Sequence, residues 1–227
     1  MRFVRPAFLS LLFLTTCIAA DQLLQTLAKM EALAASFRGL RADVKMASYT
    51  AVIQQTDSSS GTVVVRRPKS KDPQAKWIVK EPEPKQFSFL GRVADVYNPK
   101  TNIDDTYDVD KKYGGAVNEY MLLGFGASPK DLQKYYTIAL GGPETVEGKK
   151  TTRIELTPIK PDTTLHMIKA ELWISDESGL AVQQKLNYAG GNYTLATYSN
   201  MLLDPNIPES AVQLDLPPNV KHEHPLK

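Results

Sequence analysis

Apolar residues that return at every second position dominate the chain beyond residue 40, and this spacing constrains the fold more than any other feature. Ile154, Leu156 and Pro158 alternate with Arg153, Glu155 and Thr157, and Ala170, Leu172 and Ile174 alternate with Glu171, Trp173 and Ser175. The same rhythm runs through Val182, Gln184, Leu186 and Tyr188, and again through Val212, Leu214 and Leu216. Successive side chains of an extended backbone point to opposite faces, so each run reads as a strand with one buried face. Turn-forming clusters separate the runs: DSSSG at 57–61, YNPKTN at 97–102, LGGP at 140–143, DESG at 176–179 and AGGN at 189–192. Nothing between the strands is long enough for the helical crossovers of a parallel sheet, so the pattern predicts one antiparallel meander of roughly ten strands. A sheet that wide curls into a barrel or half-barrel.

Two helical segments interrupt the strand pattern. Leu23, Leu24, Leu27, Met30, Leu33, Ala34 and Phe37 fall three and four apart, which is the stripe of an amphipathic helix over 22–37, with Gly39 as its stop. The plain reading of that stripe is a helix packed on the sheet. Residues 111–134 hold an apolar MLLGF run and then SPKD, where Ser128 can cap a helix and Pro129 can occupy its first turn. A short helical insert is predicted there.

The 227 residues suit one domain with one core. Residues 1–20 have the build of a secretory signal: Arg2 and Arg5, an apolar run from Ala7 to Leu14, and small residues before Asp21. The expected organisation is a signal peptide at 1–20, a single domain at 21–220 and a flexible tail at 221–227. Cys17 is the only cysteine and lies inside the signal. Cleavage after residue 19 or 20 discards it; the alternative treats LTTC as a lipoprotein box whose acylated Cys17 anchors the chain. The chain holds 27 Lys and Arg against 25 Asp and Glu, and the signal's two arginines account for the whole excess. A neutral remainder gives no basic face for nucleic acid, so no nucleic-acid partner is expected.

Catalytic and metal-binding patterns are missing. His166, His222 and His224 have no helical zinc spacing, and the HEH of the tail reads as solvated. Asp104, Asp105, Asp108 and Asp110 lack the glycine and distal glutamate of a calcium loop, and read as a charged strand edge that deters pairing. Gly124 and Gly126 lack the third glycine of a dinucleotide fingerprint, and there is no GxSxG. The expectation is a protein without catalytic residues, resident metal or cofactor.

With this outline in place, the order of short motifs becomes informative. LLQTLAKMEALAASFRGLRADV, VVVRRP, WIVKEP, VYNPKTN, RIELTP, ELWISDESGLAVQQKLNY and VQLDLPPNV follow one another in the order and approximate spacing of the periplasmic outer-membrane lipoprotein carrier family, LolA, which the chain resembles. The resemblance implies a mainly β fold with a helical lid, of the α+β kind. It would be a curved antiparallel half-barrel of about eleven strands, with an N-terminal helix and a mid-chain helical insert covering an apolar cavity. It implies a monomeric periplasmic carrier that takes acyl chains of lipoproteins from an inner-membrane lipoprotein-releasing transporter to an outer-membrane receptor. Leu27, Met30, Leu33, Met121, Leu122, Leu123 and Phe125 are the expected cover, and Val63, Val65, Trp77, Phe87 and Phe89 the expected trough. The plain alternative is that these residues only pack on one another.

The family's strand-end arginine before proline hydrogen-bonds the lid, and Arg67 before Pro68 matches it as the implied latch. Alternation puts Val63, Val65 and Arg67 on one face and Thr62, Val64 and Arg66 on the other, so Arg66 is assigned to solvent. The chain departs from the family's pattern at LGRVAD, where an aspartate-glycine hairpin is usual, and stops soon after PPNV. Three rival functions stay open: a membrane-anchored receptor or carrier of another lipid or glycolipid on the same fold, a regulatory sensor of lipoproteins, and a hydrolase for which the sequence offers no nucleophile.

Overall fold

The computed structural model describes residues 12–68, 73–108, 123, 125–160 and 167–225. Helix α1 (Leu12–Ser36) leads into β1 (Gly39–Thr50), β2 (Gln55–Arg66), β3 (Gln74–Glu81), β4 (Lys85–Leu90), β5 (Val93–Asn98) and β6 (Ile103–Asp108). After the short helix α2 (Pro129–Leu132) come β7 (Tyr136–Val146), β8 (Lys149–Pro158), β9 (Met167–Ser175), β10 (Ala181–Tyr188), β11 (Tyr193–Leu203) and β12 (Lys221–Glu223). All twelve strands belong to one sheet in the order β12-β6-β5-β4-β3-β2-β1-β11-β10-β9-β8-β7. Every described neighbour pair is antiparallel except β12 and β6, and β7 does not close on β12, so the sheet is a curved, open half-barrel.

Register makes the inner face apolar across the strands. One row runs Ala42, Val63, Trp77, Phe87, Val96, and the next runs Leu40, Val65, Ala75, Phe89, Ala94. The inner face of the other half is filled by Ile154, Leu156, Ala170, Leu172 and Ile174, all fully buried. Helix α1 packs on β7 and β8 and on α2, with Met30, Leu33 and Phe37 in the same core. It is continuous from Leu12, so it contains the predicted stripe as far as Ala34, with Phe37 just past its end, and extends toward the N-terminus. The predicted cap of the insert is present: Ser128 Oγ accepts from the Asp131 amide at 3.1 Å and donates to its carboxylate at 2.8 Å. No helix among the described residues is long and apolar enough to cross a membrane.

Several local expectations are corrected. DSSSG lies inside β2, and the turn is at 51–54. LGGP lies inside β7 at a break in register, and the turn falls at Glu147–Gly148. A register shift between Ala181 and Gln183 turns Val182 to the outer face, where it packs with Trp173 and Val146. Val212, Leu214 and Leu216 form no strand: Glu209–Val212 is a 3₁₀ turn that crosses the outer face of β2 to β4. There Ser88 Oγ donates to the Val212 carbonyl at 2.8 Å and Lys76 Nζ to Asp215 at 2.6 Å.

The expected flexible tail from residue 221 is corrected too. Residues 221–223 form β12, which covers the edge of β6 that its acidic residues were expected to leave open. Asp104 is buried and faces His222 Nδ1 at 3.0 Å.

Asp95 sits beside this contact on β5, between Ser88 and Thr106 in register. Burial holds its carboxyl above the ordinary carboxylate range; the Thr106 hydrogen bond opposes the shift and Asp104 adds to it. A carboxyl raised in the folded state stabilises below its unfolded pKa, and that contribution is lost as pH rises through the folded value. Asp95→Asn is therefore expected to melt at a higher temperature than the parent at pH 7, with the gap closing near about pH 3. Equal melting temperatures at pH 7 would exclude this cost.

Candidate functional site

The two halves of the inner face differ in what covers them. Helix α1 occupies the β7–β9 half, and under β1–β5 and β10–β11 the side chains leave a cavity of about 260 Å³. Six of the expected residues line it: Val63 and Val65 from β2, Trp77 from β3, Phe87 and Phe89 from β4, and Phe125 from the segment before α2. They meet because consecutive antiparallel strands place every second residue of VVV, AKW and FSF side by side. The Trp77 and Phe87 rings stack with centroids 5.2 Å apart.

The other expected residues do not reach the cavity. Met30, Leu33 and Leu123 are buried in the core, and Leu27 packs against it from α1. The helical stripe thus packs into the core, in the same cluster as Phe125. Met121 and Leu122 lie outside the described residues. Sequence reading missed the contribution of β1, β10 and β11, namely Val44, Met46, Leu186, Ala196 and Tyr198. Their alternation is as regular as that of β2, but only the β1–β11 pairing, between elements far apart in sequence, brings them to the same space.

Few polar groups face this space. Tyr198 is buried, its hydroxyl donates to Gln184 Oε1 at 3.1 Å, and burial pushes its ionisation far up. Trp77 Nε1 is buried with no hydrogen-bond partner among the described residues. The wall of the cavity is therefore mostly hydrocarbon and offers at most a few directional contacts.

Phe125 forms one wall, edge-on to Tyr198 with centroids 4.7 Å apart. The next residue, Gly126, has φ +85, and a Cβ there would stand 2.6 Å from the Phe37 ring. Only glycine lets the chain turn this closely over the end of α1. The Gly126 carbonyl accepts from Arg67 Nη1 at 2.9 Å, and the Arg67 amide donates to the Arg38 carbonyl at 2.8 Å. Phe125 and Gly126 are thus held between the end of β2 and the end of α1. Arg66 points the other way, as parity requires, but is not left to solvent: its guanidinium donates to Gln74 at 2.6 Å and lies 3.5 Å from Glu209.

This open half-barrel is a fold also found in solved structures. An uncharacterized conserved protein from Thermus thermophilus superposes with a TM-score of 0.54 at 10% identity, over 90% of this chain and 98% of that one. MucB superposes with a TM-score of 0.51 at 12% identity, over 87% of this chain and 63% of MucB. The lipoprotein LppX of Mycobacterium tuberculosis has a TM-score of 0.47 at 18% identity, over 83% of this chain and 100% of LppX. The fold is shared with the Thermus thermophilus protein and with MucB. At these identities the likeness is one of fold alone. The sequence matches no protein-family model and no curated protein.

Proposed function

We propose that the protein is a periplasmic carrier that shelters the acyl chains of a lipoprotein, or of a related lipid, while they move from the inner to the outer membrane. The observation that carries this reading is the apolar cavity of about 260 Å³ between the sheet and Phe125. Exposing a fourteen-carbon chain to water costs about 10 kcal/mol, so an acylated molecule needs cover throughout its transit. The cavity is slightly smaller than the ~300–1,000 Å³ of ordinary ligand pockets, so a full chain requires the Phe125 segment to move. A cover held at its edge by one arginine hydrogen bond suits reversible loading better than a fully packed core does. Residues 1–20 would serve as the export signal, and the route would involve a releasing transporter at one membrane and a receptor at the other. No chemical step is required of the protein.

Arg67 is assigned the latch on this reading. The Arg67→Leu variant keeps an apolar stem in place of the guanidinium and removes the bond to Gly126. It is expected to bind a fluorescent acyl probe severalfold faster than the parent, with the fold unchanged by circular dichroism. An unaltered association rate would remove the latch. The carrier reading itself is tested by native mass spectrometry of protein recovered from the periplasm. Bound acylated molecules are the expected result. A protein that is consistently free of lipid and takes up no acyl probe in vitro would overturn it.

A further inference from the structure

Large exposed apolar residues are concentrated at one end of the half-barrel. The described chain has eight of them: Leu24, Val52, Ile53, Tyr135, Ile159, Ile168, Leu202 and Leu203. The 51–54 turn, the end of β8 and the starts of β7 and β9 all lie at the same rim. The register requires this, because Tyr49 faces Tyr193, Tyr188 faces Met167, and Tyr136 faces Pro158. Val52, Ile53, Tyr135, Ile159 and Ile168 therefore share one rim, whereas Leu202 and Leu203 lie at the opposite one. Val52 is 89% exposed and Ile53 63%, at the tip of the long β1–β2 hairpin.

What stands behind the tip indicates the kind of partner. Tyr49 and Tyr193 stack with centroids 5.1 Å apart, and Lys185 Nζ lies 4.4 Å from the centroid of the Tyr193 ring. The order from the tip inward is thus aliphatic, then tyrosine, then ammonium, which matches the polarity gradient of a bilayer surface from acyl chain to headgroup. The tip is also braced, since the Ala51 amide donates to Asn192 Oδ1 of the neighbouring turn at 2.9 Å. The second cluster, Ile159 and Ile168, lies three to four strands away, about 14–19 Å along the sheet. Two separated protrusions make no groove for a helix or peptide, but hydrocarbon admits both at once. The same rim adjoins the cavity, whose lining includes Thr194, next to Tyr193, and Met46 on β1.

We infer that this rim is a membrane-contacting surface, with Val52 and Ile53 entering the outer part of a phospholipid bilayer and Ile159 and Ile168 forming a second foothold. Lys100 pairs with Glu83 and Lys134 with Asp131 near this end, and burial of the aliphatic tip supplies the driving force of the contact. The inference gives the carrier reading a docking geometry, with the cavity's end directed at the lipid, but membrane contact itself requires no cargo.

The test is flotation of the full chain with vesicles of phosphatidylcholine alone. The protein is expected to float with the vesicles, with little change between low and physiological salt. The double variant Val52→Ser, Ile53→Ser is expected to partition at least fivefold less, whereas Leu202→Ser, Leu203→Ser at the other rim partitions as the parent does. In Ile53→Trp, emission from the new indole is expected to shift to the blue on vesicle addition. A double variant that partitions like the parent overturns the inference. So does a tip whose replacement changes only the oligomeric state, because the rim is then an interface between copies. Acyl-probe binding measured on the same serine variants separates this failure from that of the carrier reading, since neither residue lines the cavity.

Discussion

Gly61→Ala is expected to lower the melting temperature by roughly 10 °C, corresponding to about 3 kcal/mol in a chain of this size. Gly61 faces Val44 on β1 and Val79 on β3, and the register between β2 and β3 slips by one residue just beside it. A Cβ at this position would collide with the Ile78 carbonyl oxygen and lie 2.8 Å from its carbon. The obstacle is main chain, so no side-chain rotation relieves it, and β2 and β3 would have to separate where the sheet bends. Close approach of two backbones at a bulge is a recurrent reason for glycine within a strand. Thermal unfolding followed by circular dichroism measures the effect, and a fall of less than about 2 °C would mean that the bend tolerates a side chain.

That glycine also shows where sequence reading stopped. The serines of DSSSG and the glycine after them have the composition of a turn, yet they form the first half of β2, because a hairpin that runs past the core has no need of apolar residues on either face. Its true turn, Ala51 to Gln54, contains two of the most exposed apolar side chains in the described chain, so the composition pointed to the wrong place. By contrast, the parity of Val63, Val65 and Arg67 was legible, since it depends only on the two-residue period of a strand. What period cannot supply is the partner. Val212, Leu214 and Leu216 alternate as a strand would, but they lie across the outer face of a sheet instead of beside a neighbour. The stripe of α1 was equally clear, and nothing in it could reveal that it fills the β7–β9 half and leaves the cavity to the other.

This division of labour shapes the site. Ile154, Leu156, Ala170, Leu172, Ile174 and the α1 stripe fill one half of a core that continues through Val65, Ala75 and Phe125 to the cavity side. On the cavity side the apolar surface is faced by Phe125 and is not packed solid. The cover's anchors, Arg67 and Phe37, come from the end of β2 and the segment just after α1, so its position is tied to both halves.

Filling the cavity from within separates binding from folding. Val63→Trp places an indole in the middle of the row Ala42, Val63, Trp77, Phe87, Val96. Because Val63 lines the cavity, the added ring has open space to enter, and the cost to stability is expected to stay within about 1 kcal/mol, below the usual range for overpacking. Acyl-probe affinity is expected to fall at least tenfold, equivalent to about 1.4 kcal/mol of lost binding. The neighbouring residue supplies the control: Val64 lies on the outer face, so Val64→Phe adds bulk to the same strand without approaching the cavity and is expected to bind the probe like the parent. Equal affinity in Val63→Trp and the parent, with both folded, would place acyl binding somewhere other than this cavity. Loss in both variants would point to a strand that tolerates no added volume, and only loss in Val63→Trp alone supports the trough.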